Sequence, residues 1–217
     1  TLTIEGLAEK KPLGIYVIIE QVDDRYIGQN LGKASKGSLL MKPESMDDWR
    51  YLGVEPKAYE RYNIKVGEKN ADQIRQFAEL LKLVEQGSDD EFAREIGKWM
   101  DLKQFAGYLA ATSILVNIDS YIGMPHNYYL VMDKADGKLR MLPWDLNETF
   151  GTFTMGRSPE MLVKWDIDRP WISRRRIVER LFATERFPKL YRNAVTKLMK
   201  NDFTEKKYFA RIAEFEK

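Results

Sequence analysis

The spacing of apolar positions changes character near residue 67. Residues 15–22 form an unbroken β-branched and aromatic run behind Pro12 and Gly14, which reads as a buried strand. Residues 23–31 read as a short helix, Gly32 and Gly37 bracket a basic turn, and residues 38–41 read as a second strand. A polar, irregular segment follows to about Gly67. Beyond it the period becomes helical. Ile74, Phe77, Leu80, Leu81 and Val84 share one face between a cap at Asn70 and a stop at Gly87. Ser88 with Glu91 forms a capping box for a helix that turns Phe92, Ile96 and Met100 inward, and Asp101 with Gln104 opens a third helix over the apolar residues 105–116. Two apolar runs then flank the turn Asp133-Lys134-Ala135-Asp136-Gly137, the pattern of a hairpin. After Gly151 the chain is loop-like to about Trp171 and then helical, with Thr184 as a cap before Phe187, Leu190, Tyr191, Ala194 and Leu198. The expected class is α+β: a small, mostly β region over 1–67 and a larger helical region over 68–217 that holds the hairpin 127–145, with a cleft between the two.

Composition narrows the function classes. With 217 residues, of which 44% are hydrophobic, the chain can bury a sizeable core. Its 35 basic and 33 acidic side chains nearly cancel, so no nucleic-acid or membrane surface is expected. Arg174-Arg175-Arg176 is a local exception and reads as a solvated turn of helix rather than an anion site. The absence of cysteine excludes disulfides, thiol catalysis and thiolate metal sites. No apolar run approaches the roughly 20 residues of a membrane span. A first residue of Thr, with neither a signal peptide nor an initiator Met, suggests a mature or trimmed form.

The chemistry is concentrated between Asn117 and Gly151. An Asp (Asp119) is followed by an Asn ahead of an apolar run (Asn127), then the polar turn, a second apolar run and another Asp (Asp145). Protein kinases arrange a base Asp, a metal-binding Asn and a metal-binding Asp in this order. The wording differs: no His-Arg-Asp precedes Asp119, and Asn127 follows it by eight positions where the kinase pattern has about five. A hairpin would bring its two ends side by side, so Asn127 and Asp145 can flank one Mg²⁺ or Mn²⁺, leaving Asp119 as base or orienter for an attacking hydroxyl. A kinase-like site also needs a cation on the nucleotide phosphates, usually held by an acid, and Lys42 and Glu20, each at the end of an expected strand, are the candidates. Each residue also has a structural explanation. Asp119 could close the exit loop of the preceding helix, Asn127 could satisfy a turn, Asp145 could cap a helical turn, His126 could make a structural hydrogen bond and Trp144 could belong to the core. A metal-dependent hydrolase using Asp119 and Asp145 is a further alternative.

Asn117-x-Asp119, His126-Asn127-Tyr128-Tyr129-Leu130 and Pro143-Trp144-Asp145-x-x-x-x-Phe150-Gly151 resemble the bacterial spore-coat CotH family of atypical, kinase-like proteins. Gly14-Ile15-Tyr16-Val17-Ile18-Ile19-Glu20-Gln21-Val22-Asp23 and Gly37-Ser38-Leu39-Leu40-Met41-Lys42 are similar to the same family, so the resemblance covers residues 13–151. It implies a two-lobed atypical protein-kinase-like fold whose N-lobe is incomplete here, because the family carries more sequence before the Gly-Ile-Tyr strand. It also implies ATP as co-substrate, Mg²⁺ or Mn²⁺, and transfer to Ser or Thr hydroxyls of a protein such as a coat or surface protein, in a bacterial spore-coat or cell-surface setting. The implied roles are catalysis by Asp119, metal binding by Asp145 and Asn127, and nucleotide binding by Lys42 and Glu20. Asn147 stands where the family usually shows a second Asp, which would weaken metal binding if residues 145–147 are extended. The alternative is a pseudokinase-like nucleotide-binding or scaffold module without turnover.

Overall fold

The computed structural model describes residues 19–44, 48–67 and 70–215. Residues 15–18, half of the expected strand over 15–22, lie outside these residues, and residues 19–22 are irregular rather than extended in a sheet. Asp23 accepts a hydrogen bond from the Tyr26 N–H and starts α1 (Asp24–Asn30). The chain then enters β1 (Leu39–Met41), a 3₁₀ segment over Pro56–Tyr62, and β2 (Ile64–Val66). The last two elements fall where the sequence reads as irregular. A three-residue strand has no period to detect, and β2 is specified by antiparallel pairing with β1 rather than by its own residues.

The helices follow local signals closely. Asn70, Ser88 and Asp101 each accept a hydrogen bond from the N–H three residues on, opening α2 (Ala71–Gln86), α3 (Asp89–Trp99) and α4 (Leu102–Ile114). Gln104 does not complete a capping box. Its side chain accepts from Met141 N–H at 3.0 Å and donates to Met141 C=O at 2.6 Å, so it covers the free edge of β4 (Lys138–Pro143). That strand and β3 (Tyr128–Asp133) form the expected hairpin, and the sheet runs β2-β1-β3-β4 with every pair antiparallel. The remaining helices are α5 (Pro159–Val163), α6 (Arg176–Phe182), α7 (Phe187–Asn201) and α8 (Glu205–Phe215). Thr184 Oγ1 accepts from Phe187 N–H as its sequence position suggests. None of the described helices is long and apolar enough to cross a membrane.

The sheet is covered on both faces, which explains why β3 is apolar at nearly every position. Its Tyr128, Leu130 and Met132 join Leu39, Met41, Leu139 and Met141 in the large core shared with α2, α3, α4, α6 and α7. Tyr129 and Val131 point the other way, onto Leu40, Val22 and Ile27. The turn end of the hairpin is held by Asp133, only 2% exposed. Its carboxylate accepts from Ser35 Oγ at 3.0 Å, Ala135 N–H at 2.9 Å and Arg140 at 2.7 Å. Arg140 also binds Asp136 and approaches Asp101. Asp133→Asn is expected to destabilise the fold by about 2 kcal/mol, because the amide leaves buried donors mismatched while Arg140 keeps other acids. Equilibrium urea unfolding measures this, and an unchanged midpoint would show that the buried carboxylate is dispensable.

Candidate functional site

The exit from α4 is built from unusual backbone. Val116, a β-branched residue, has φ 48°, a left-handed conformation that persists only where surroundings over-determine it. The chain then folds back on itself: Met124 N–H reaches Ile118 C=O, and a Cβ on Gly123 would lie 2.0 Å from that same oxygen. Glycine is therefore required at position 123 by close approach. This return places His126 and Asn127 against Asp119. His126 Nε2 is 2.6 Å from Asp119 Oδ1, and Asn127 Nδ2 donates to both Asp119 Oδ2 at 3.0 Å and Asp119 C=O at 2.9 Å. Asn127 itself is left-handed, φ 57°, which Asn tolerates better than most residues.

The hairpin carries this cluster to the Pro-Trp-Asp segment. Tyr128 pairs with Pro143, and Trp144 N–H donates to Asn127 C=O at 3.1 Å, so the two strand ends lie side by side. Asp145 follows, also left-handed at φ 52°, and its carboxylate makes no capping bond to the short 3₁₀ turn Leu146–Glu148. It is exposed and engages no other described residue, which removes the structural explanation for it. Phe150 N–H closes the segment by donating to Leu115 C=O at 2.6 Å.

Beneath the cluster lies a buried aromatic support. Tyr121 stacks on Trp49 with ring centroids 5.0 Å apart and meets Tyr128 edge-on at 5.3 Å. Trp49 Nε1 donates to Tyr128 Oη, and Tyr121 Oη donates to Asp48. Burial raises both tyrosine hydroxyls well above the usual phenol range, so they stay protonated. Arg175, 5% exposed, donates to the C=O groups of Tyr121 and Gly123, and Arg176 donates to those of Val84 and Glu85. Arg175 and Arg176 are thus tied into the frame, while Arg174 is exposed as a solvated turn would have it. Sequence distance hid this support, since Asp48 and Trp49 lie more than seventy residues before the segments they brace.

On the opposite face of the hairpin, Lys42 Nζ stands 5.5 Å from the Trp144 ring centroid and 5.8 Å from that of Tyr129. Cation–π contact therefore holds the ammonium beside the residue preceding Asp145. Trp144 packs edge-on against Tyr129 at 5.3 Å and is only partly buried. Glu20 is exposed and makes no ion pair with Lys42, so the structure does not join the expected pair.

The fit to a divalent cation rests on two groups. Asp145 offers an unengaged carboxylate, and Asn127, whose Nδ2 is used by Asp119, keeps its Oδ1 for a hard cation. No group of three or more His, Cys, Asp or Glu among the described residues is placed to hold a metal. Such a sparse donor set suits Mg²⁺, which commonly takes one or two protein oxygens and completes its shell with water and substrate phosphates. Asn147 is not extended from Asp145; it lies in the 3₁₀ turn, and its amide reaches Glu148. Side chains two apart in a 3₁₀ turn point to different sides, so Asn147→Asp is expected to change Mg²⁺ affinity by less than about twofold, the scale of an ordinary surface charge. A larger gain in a metal titration would place residue 147 on the ion.

Comparison with known proteins identifies the family. The family described as CotH kinase protein matches residues 1–217. The chain belongs to the CotH family. It is 23% identical over 145 residues to the inner spore coat protein H of Bacillus subtilis (strain 168), a match covering 64% of this chain and 38% of that relative. The chain thus spans well under half the length of this CotH relative.

Proposed function

We propose that this CotH chain transfers the γ-phosphoryl group of ATP to Ser or Thr hydroxyls of a protein, using Mg²⁺ or Mn²⁺, in a two-lobed kinase-like arrangement divided near residue 67. The supporting observation is the lock between Asp119 and Asn127, tied through the main chain of Trp144 to the unengaged Asp145. A bound metal ion would supply charge neutralisation on the phosphate oxygens. Asp145 and Asn127 Oδ1 would hold it. Asp119, oriented from one side by His126 and from the other by Asn127, would take the proton of the acceptor hydroxyl. Lys42, held over Trp144, would meet the phosphates from the opposite side of the hairpin, with exposed Glu20 free to contact the nucleotide.

The name of the relative supports a setting in the bacterial spore coat, and coat proteins are the acceptors proposed here. Incubation of the full chain with γ-labelled ATP, Mg²⁺ or Mn²⁺ and isolated coat proteins tests the reading. Label is expected on Ser or Thr of an acceptor and only with metal present. Metal-dependent nucleotide binding without any label would instead identify a binding module that lacks turnover.

A further inference from the structure

A cavity between α4 and α7 holds a polar group that the fold does not use. It measures about 590 Å³, well inside the roughly 300–1,000 Å³ range of small-molecule pockets. Its walls are largely apolar, with Ala111, Leu115, Leu190 and Leu198 among them. Asn117 also lines it, with no exposed surface, and neither its Oδ1 nor its Nδ2 meets a partner among the described residues. Leaving a buried polar group unpaired costs on the order of 1–3 kcal/mol, and an apolar side chain of similar size would avoid that cost. Gly107 points the same way. It sits inside α4, where glycine is unfavourable by roughly 0.5–1 kcal/mol relative to alanine, and a Cβ there would meet nothing within 4 Å. The helix thus keeps the cavity open.

We infer that this cavity binds a neutral, mainly apolar small molecule carrying a planar amide. The Asn117 side chain presents an acceptor and a donor side by side, and the complementary group is an N–H beside a C=O. An anionic head is disfavoured because the buried polar residues that line the cavity, Asn117, Tyr108 and Thr112, are neutral and no buried cation lies with them; Lys103 and Lys197 are exposed, together with Asp202. The occupant would also touch Leu146, next to Asp145, and it would bind two residues before Asp119. Its linkage to nucleotide rests on the phosphoryl-transfer reading, whereas its binding does not.

Octanamide and N,N-dimethyloctanamide, which lacks the N–H donors, are the probes, titrated into the full chain and followed by amide and methyl NMR. Octanamide is expected to shift Leu146, Leu190 and Leu198 saturably and to bind about tenfold more tightly than the dimethyl analogue, the scale of one well-made buried hydrogen bond. Asn117→Leu should erase that preference. Gly107→Leu, which fills the cavity from the helix side, should abolish octanamide binding with the unfolding midpoint unchanged or raised. Absence of a saturable shift with octanamide, equal binding of the two amides by the parent chain, or undiminished binding by Gly107→Leu each overturns the inference. None of these measurements uses ATP, so their failure and the failure of phosphoryl transfer are separately visible.

Discussion

Asp145→Asn will weaken Mg²⁺-dependent nucleotide binding by about a hundredfold or more, judged against the 10–100-fold that loss of even an outer-shell metal partner typically costs. Asparagine is the informative replacement. Residue 145 has φ 52°, a conformation that Asn accepts and Ala resists, so the amide removes the charge while leaving the turn intact. The carboxylate has no hydrogen bond or ion pair with any described residue, and its loss carries no penalty for folding. An unchanged thermal unfolding curve with lost nucleotide affinity would thus isolate the metal role. Calorimetry with and without Mg²⁺ reads the effect. Equal affinity of the variant and parent in Mg²⁺ would remove Asp145 from the metal site.

Much of this site was legible because its order along the chain is also its order in space. Asn127 and Asp145 bound a hairpin, and strand pairing converts that linear separation into adjacency without any distant contact. The same holds for α2, α3 and α4, whose caps at Asn70, Ser88 and Asp101 act within one turn. Where the deciding interaction is remote, local reading failed. The segment containing Pro56–Tyr62 and β2 is shaped by its packing and by β1, α5 is too short to show a period, and Arg175 and Arg176 reach the carbonyls of Tyr121, Gly123 and Val84, which lie far from them in sequence. Asn147 failed for a subtler reason. The left-handed Asp145 starts a 3₁₀ turn, and the alternation that would have put residues 145 and 147 on one side does not apply.

Asp119→Asn is expected to reduce phosphoryl transfer by about 10²–10⁴-fold, the usual contribution of a positioned general base, with nucleotide affinity preserved. The substitution keeps the local structure because the new amide can place its oxygen toward Asn127 Nδ2 and donate from its nitrogen to His126 Nε2, which accepts once the ring proton sits on Nδ1. What it loses is the capacity to take a proton. The deficit should therefore fall on kcat, with the KM for ATP close to that of the parent, the pattern of an interaction made only in the transition state. His126→Gln provides the contrast. Its side chain touches one oxygen of Asp119 and orients the carboxylate without replacing its chemistry, so a smaller loss is expected, about tenfold, on the scale of one hydrogen bond. Steady-state assays at saturating Mg²⁺ with a labelled acceptor separate these cases. A variant with Asn at position 119 that transfers at the parent rate would exclude Asp119 as the base, and would leave its contacts with His126 and Asn127 as braces of the loop alone.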